Sequence, residues 1–430
     1  MVSSTSTPLY LSRRAQWIGE EPINMLMAHA LSRPDLVSLA AGFVDQATLP
    51  ADFTREAFDA IGADPDEIRV ALQYGTTIGY PPLRRLILQR LLEADGIPLD
   101  TNRVSIDRII ITAGSNQLLF LVGDTAFDPG DIMICGAPSY FVYLGSLQNL
   151  GVRAVGVDVD ENGILPEAVE ARLAELDSAG QLDRVGGIYV TTYYDNPAGT
   201  TLPSDRRSAL LDIARRWSKR RRILIIEDAA YRELRYEGED LPSLWSLDET
   251  GAHTVLAGTF SKTFSPGLRV GWGVLPEDLV GPIVAHKGNV DFGSPNLNQH
   301  VMATVLARGY YDRHLALLVD TYREKCNTAL AACEEYLGPL QGVRWYHSTG
   351  GLYVWVQLPE HIDTAMGGPL FGRAIDHGML YVPGEHCYPS EGAPVRKNMI
   401  RLSFGVPSLD AIRRGIRMLA DAIEELLEEL

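Results

Sequence analysis

Ile223-Leu-Ile-Ile-Glu-Asp228-Ala-Ala-Tyr231 is the stretch whose reading decides the fold. Its apolar residues run on without alternation and stop at two carboxylates. A strand with one wet face alternates apolar and polar side chains. An unbroken run suits a strand covered on both faces, as in a parallel sheet between helices. Outward from it, similar short runs recur: Ile109-Ile-Ile-Thr112, Asp131-Ile-Met-Ile-Cys135, Val152 to Val157, Gly187-Ile-Tyr-Val-Thr191, His253 to Ala257 and Arg269 to Val274. Amphipathic stretches separate them: one from about Gln117, one near Glu167 to Leu176, and one from Ser204, its expected N-cap, to about Trp217. Strands alternating with helices read as an α/β fold.

The pattern changes after Pro295. A long helical stretch is expected from about Asn298 to about Tyr336, broken near Gly309. Strands return at Val343 to Tyr346, Leu352 to Leu358 and Met399 to Ser403, and an amphipathic helix closes the chain from Leu409 to about Leu427. The expected organisation is an N-terminal arm at 1–45 packing with the small domain, a large parallel-sheet domain at 46–300 and a smaller α+β domain at 301–430. A short helix is expected in the arm between Pro22 and Leu31.

Composition narrows the function. The 430 residues carry a net charge of −17, with no basic cluster beyond Lys219-Arg-Arg-Arg222, so a nucleic-acid partner is not expected. The four cysteines form no C-x-x-C pair and no zinc pattern, and the nine histidines show no metal spacing, so no metal is expected. Cysteine usage and a polar N-terminus without an apolar core point to the cytoplasm. No apolar stretch reaches the ~18 residues that a membrane span needs. The nucleophile-elbow, Walker A, zinc-protease and dinucleotide-binding motifs are all missing.

The chemistry-bearing residues stand at the ends of the expected strands. Asp228 ends the run Ile223 to Glu227, with Tyr231 three residues on. Alternation turns Glu227 away from Asp228. Asn196-Pro-Ala-Gly199 follows the strand ending near Thr192, and Ala113-Gly-Ser115-Asn116-Gln117 is a strand-to-helix turn of the kind that presents free N–H groups to an anion. Each has a plain alternative as a turn or a cap. Lys262 follows the strand His253 to Ala257, in Gly258-Thr259-Phe-Ser261-Lys262-Thr-Phe-Ser-Pro-Gly-Leu-Arg269.

This last segment resembles the lysine motif of the class I/II aminotransferases of fold type I, which depend on pyridoxal 5′-phosphate (PLP). The order Ser38 to Gly42, Tyr74, Ser115, Tyr140, Asn196, Asp228, Lys262, Arg269, Gly350-Gly351 and Arg401 extends the likeness over most of the chain. The kynurenine/2-aminoadipate aminotransferases are the most similar subgroup. The resemblance implies that PLP is held by Lys262 as a Schiff base, with Asp228 at its ring nitrogen and Tyr231 and Asn196 at its phenolate oxygen. It puts Tyr140 on the ring face and Ser115, Asn116, Thr259, Ser261 and Arg269 around the phosphate. Arg401, with Gly42 and Asn196 nearby, is implied to bind the substrate α-carboxylate, and Phe43 to touch its side chain. Tyr74 is implied to reach the phosphate of a neighbouring subunit, which makes the protein a homodimer with shared sites. The substrates implied are an L-amino acid and a 2-oxo acid, used in ping-pong order. Some members carry an arm arginine for a second carboxylate, where this chain has Asn24. A PLP-dependent lyase or decarboxylase on the same fold is the alternative, since the same residues serve several bond cleavages. A ligand-sensing module is the more distant one.

Overall fold

The structure is a computed structural model that describes residues 9–19, 25–26, 33, 35–99 and 104–429. Most of the arm helix expected at Pro22 to Leu31, and Asn24, lie outside these residues. The large sheet is built on β1 (Ile109–Thr112), β2 (Ile132–Ala137), β3 (Arg153–Asp160), β4 (Val185–Thr191), β5 (Leu224–Asp228), β6 (Thr254–Thr259) and β7 (Gly271–Val274). Their spatial order is β3-β2-β4-β5-β6-β7-β1. Neighbours pair in parallel from β3 to β6, and β7 is antiparallel to both β6 and β1. The expected run at Ile223 is buried along all of β5. Helices Ser115–Ala126, Phe141–Leu150, Pro166–Ser178 and Ser204–Trp217 connect the strands and cover both faces.

Two local expectations change. Pro203, not Ser204, is the N-cap of Ser204–Trp217, and no side-chain cap bond forms there. Arg269 lies outside β7 because its backbone is left-handed, at φ 51°. Three helices, Ala51–Ala63, Pro65–Leu72 and Pro81–Ala94, add to the sequence reading. Asp64 caps the second through the N–H groups of Asp66 and Glu67. Proline at the first helical positions of the second and third suits a site whose N–H has no partner in the helix.

A four-stranded antiparallel sheet of β8 (Arg344–Trp345), β9 (Tyr353–Gln357), β10 (Val382–Pro383) and β11 (Met399–Ser403), in the order β8-β9-β11-β10, stands beside the large one. The closing helix Leu409–Glu429 buries Ile412, Ile416, Leu419, Ile423 and Leu426 in that sheet's core, an apolar stripe at helical spacing. The break near Gly309 separates helix Asn296–Ala307 from Tyr310–Ala332. The second of these bridges two cores: Tyr311 packs with the large-sheet helices, and Leu318, Tyr322 and Cys326 with the small sheet. The arm divides likewise. Val37–Ser38 pairs with Met379–Leu380, whereas Trp17 lies where a Cβ on Gly151, the C-cap of helix Phe141–Leu150, would meet it.

Candidate active site

The residues singled out in the sequence gather at the carboxyl edge of the large sheet. Ser115 and Asn116 follow β1, Tyr140 follows β2, Asn196 follows β4, Asp228 closes β5, Thr259 ends β6, and Ser261 and Lys262 follow it. Arg269 precedes β7, which runs the other way and so begins at the same edge. All of these, with Tyr231, line one cavity of about 110 Å³. Ligands of open α/β sheets bind at this edge. Gly42 and Arg401 are outside this lining but contact it through Lys262 and Asn196, and Tyr74 lies apart. It is 80 % exposed, away from this cavity, with its ring 5.1 Å from that of Phe292.

One end of the cavity is built for an anion. Gly114 enters helix Ser115–Ala126 at φ 83°, and a Cβ on it would lie 2.5 Å from an Arg269 nitrogen. A Cβ on Gly271 would lie 2.4 Å from the Gly114 carbonyl carbon. Two glycines thus let the guanidinium approach the helix N-terminus, where N–H groups lack helical partners. Arg269 donates to the Ala113 carbonyl at 3.0 Å, and Thr259 Oγ1 donates to Ser261 Oγ at 2.9 Å. Free N–H groups, hydroxyls and a guanidinium at one point suit a phosphate.

Asp228 sits in the middle of the cavity. It is buried and accepts from Tyr189 Oη at 3.0 Å and from the Ala230 N–H at 3.1 Å. Burial raises its pKa to about 6, against the effect of both bonds. Glu227 does point to the other side, where it accepts from Thr192 Oγ1 and the N–H groups of Leu244 and Trp245. A carboxyl pKa raised on folding stabilises the fold at low pH, and that contribution is lost as pH rises through the folded value. The cofactor-free protein is therefore expected to lose about 2–3 kcal/mol between pH 4 and pH 7 through this group. Denaturant unfolding at each pH measures it, and Asp228→Asn should flatten that part of the curve.

Lys262 lines the other end, and Arg401 lies behind Asn196 in its wall. Lys262 Nζ donates to the Gly42 carbonyl at 2.7 Å. Its pKa is lowered, first by burial and also by the Arg401 and Arg269 charges, against the influence of Tyr353. Arg401 is 1 % exposed; one terminal nitrogen donates to Asn196 Oδ1 at 2.9 Å and the other to the Ala40 carbonyl at 2.8 Å. Its Nε is buried with no partner among the described residues. Tyr353 was not anticipated from sequence. Its ring lies 4.5 Å from the guanidinium carbon, its hydroxyl is 3.0 Å from Tyr231 Oη, and a Cβ on Gly42 would come within 2.8 Å of that hydroxyl. The signal was the preceding Gly350-Gly351: a Cβ on Gly350 would lie 2.4 Å from the Tyr194 ring. Tyr189 and Thr191 were also unassigned, though alternation along β4 puts them on one face, and Thr191 pairs with Asp228.

A wider cavity of about 620 Å³ lies between helices Pro81–Ala94 and Tyr310–Ala332. Its Arg90 and Arg232 are ion-paired to Glu233, Asp312, Asp95 and Asp240. Unspent donors converge in the smaller cavity instead.

Comparison with known proteins agrees with this geometry. The family model described as aminotransferase class I and II matches residues 34–416. The chain belongs to the class I and II aminotransferase family. The aromatic-amino-acid aminotransferase 1 of Thermococcus litoralis is 32 % identical over 424 residues, covering 98 % of this chain and 95 % of that one. The 2-aminoadipate transaminase of Thermus thermophilus is 31 % identical over 397 residues, covering 92 % of each. The solved Pyrococcus horikoshii kynurenine aminotransferase, a complex with PMP, superposes with a TM-score of 0.88 at 32 % identity, covering 97 % of this chain and 98 % of that one. The protein is a fold-type I, PLP-dependent aminotransferase acting on amino and 2-oxo acids. Among the described residues no helix is long and apolar enough to cross a membrane, and no cluster of metal ligands occurs.

The residues present fit PLP. An anion cradle closed by two glycines faces a buried carboxyl, which favours a protonated ring nitrogen beside it. A partly buried lysine of lowered pKa completes the set.

Proposed function

We propose that this aminotransferase works through Lys262, Asp228 and Arg401 in a ping-pong exchange, with an aromatic L-amino acid as preferred donor. PLP, when bound, supplies an aldehyde carbon for the amine and a ring that takes up the electrons of the broken Cα–H bond. The observation that carries the reading is the convergence of an amine of lowered pKa and a buried carboxyl on one cavity, with the Arg401 guanidinium held against Asn196 in its wall. Lys262 Nζ holds the cofactor at rest, and then takes the proton from the substrate Cα as general base. Asp228 keeps the ring nitrogen protonated. Tyr231 and Asn196 would hold the phenolate oxygen of the bound cofactor, and Tyr140 would cover its ring. Ser115, Asn116, Thr259, Ser261 and Arg269 hold the phosphate. Arg401, steadied by Asn196 and the Ala40 carbonyl, binds the α-carboxylate beside Gly42.

The donor class follows from what surrounds Arg401. Tyr353 and Tyr231 border the substrate side, and Phe43 is half-exposed next to Gly42. Among the described residues lining the cavity, the one guanidinium is Arg269, at the phosphate end. Relatives named for aromatic amino acids and for kynurenine support the same choice. Phenylalanine and tyrosine are expected to convert bound PLP to the pyridoxamine form at least ~10-fold faster than aspartate, because a second carboxylate buried without a partner is costly. Stopped-flow absorbance decides it, and equal rates for aspartate reject the donor class.

A homodimer with shared sites belongs to the same reading. Leu72, Tyr74 and Phe292, at 68 %, 80 % and 59 % exposure, border one surface recess. Large apolar side chains exposed together support an interface at this recess, and Tyr74 is one of them. Sedimentation should give twice the chain mass. Tyr74→Ala should weaken PLP binding, although Tyr74 does not reach its own subunit's cavity.

A further inference from the structure

Asp195 has no part in the roles above, yet it is wired to the cofactor site. It lies in the loop after β4. Its carboxyl lies beside the Thr191 hydroxyl and the N–H groups of Asn196 and Ala198. Thr191 Oγ1 is 3.4 Å from Tyr189 Oη, which in turn donates to Asp228 Oδ2 at 3.0 Å. A line of two hydroxyls therefore joins two carboxyls, and Thr191 and Tyr189 border both the cofactor cavity and the recess of about 30 Å³ that Asp195 faces. The titratable groups facing Asp195 are Asp228 on β5, Tyr189 on β4 and Cys387 in the turn Gly384–Cys387. No cation offsets its charge among them. Burial and then the Asp228 charge push its pKa up to about 7, against the Thr191 bond.

We propose that Asp195 is a positioning residue whose proton sets the direction of the Thr191 hydroxyl and, through Tyr189, how firmly Asp228 keeps its charge for the cofactor's ring nitrogen. This rests on the reading of Asp228 as the ring-nitrogen partner. Thr191 has one proton to give. An ionised Asp195 takes it, leaves Tyr189 Oη without that donor, and sets two carboxylates against each other. A protonated Asp195 donates to Thr191 Oγ1, Thr191 donates to Tyr189, and Tyr189 donates to Asp228. Three bonds in one direction strengthen each other, and the like-charge repulsion is gone. Asp228 is then the ionised member of the pair. PLP is held more tightly in that state, and the change falls near neutral pH.

The test is the dissociation constant of PLP for the cofactor-free protein, read by fluorescence from pH 5.5 to 8.5. Asn in place of Asp195 carries a permanent amide donor toward Thr191, and the wild-type to D195N ratio cancels the cofactor's own titration. That ratio is expected to rise about tenfold from the acid to the alkaline end, one pKa unit of coupling. Thr191→Val cuts the line while keeping Asp195, and should remove more than half of the wild-type pH dependence. Parallel curves for wild type and D195N overturn the proposal. If D195N does not fold, T191V decides alone, and an unaltered pH dependence there overturns it. Asp228→Asn separates the two levels. Weaker binding in D228N together with parallel wild-type and D195N curves rejects the relay alone, whereas wild-type binding in D228N rejects the ring-nitrogen reading and the relay with it.

Discussion

Lys262→Ala is expected to lower the rate of the half-reaction by about 10⁴-fold or more, with the fold intact. General base catalysis alone contributes ~10²- to 10⁴-fold, and the covalent hold on the cofactor is lost in addition. The argument is one of protonation state. An exposed lysine is almost wholly charged at neutral pH and is a poor base. Burial, and then the Arg401 and Arg269 charges, shift Lys262 toward the neutral amine, while its Nζ is kept in place by the Gly42 carbonyl. Lys262→Arg separates chemistry from packing. It keeps the positive charge and most of the length, but a guanidinium does not deprotonate in proteins, so it should be as inactive as the alanine variant. Single-turnover absorbance at saturating amino acid measures both. A residual rate within tenfold of wild type in either variant sinks the assignment. Borohydride reduction followed by peptide mapping gives an independent readout, since the cofactor adduct should appear on Lys262 and on no other lysine.

The parts of the fold legible in sequence are those where one physical signal dominates. β5 was readable because burial on both faces removes alternation, and Gly309 because its left-handed backbone, at φ 67°, separates two helices. The helices before β1 were hidden for the converse reason. Ala51–Ala63 buries only Ala57 and Ile61 fully, and its N-cap, Pro50, makes no side-chain cap bond, so no capping signal announces it. Pro81-Pro82 reads as a turn until a helix is seen to start there. The antiparallel course of β7 is a pairing between distant segments, and no local pattern records it.

The candidate site was legible for a different reason. Ser115, Asn196, Asp228 and Lys262 each have a plain local alternative, and their order along the chain made them one set. Chain order is blind to contacts that cross from the small sheet. Tyr353 arrives from β9, and the Ala40 carbonyl arrives from the arm. Both depend on how the two sheets pack, which no single segment encodes. Asp195, one residue before the Asn196-Pro turn, was not singled out, because nothing local records that it sits beside Thr191 on the strand bearing Tyr189.

Arg401 carries the second large effect. Its two terminal nitrogens are already steadied by Asn196 Oδ1 and the Ala40 carbonyl, and its Nε is buried without a partner. The guanidinium is a planar fork of donors beside Asn196, and an α-carboxylate supplies two coplanar oxygens to match such a fork. Arg401→Lys keeps the charge but offers one compact ammonium, which cannot serve Asn196, Ala40 and the substrate together. Losing a buried, hydrogen-bonded charge pair costs roughly 2–5 kcal/mol, so kcat/KM for amino acids should fall by about 10²- to 10³-fold. Lost packing would also lower activity, and the control is an amine that lacks the carboxylate. Wild type should prefer phenylalanine over phenethylamine by a large factor, and in Arg401→Lys that preference should collapse while the slow rate with phenethylamine stays within a few fold. If both rates fall together, Arg401 supports the fold around β11 and does not bind the carboxylate. If only the phenylalanine rate falls, the lost interaction is the one with the carboxylate, because that group is the sole difference between the two substrates.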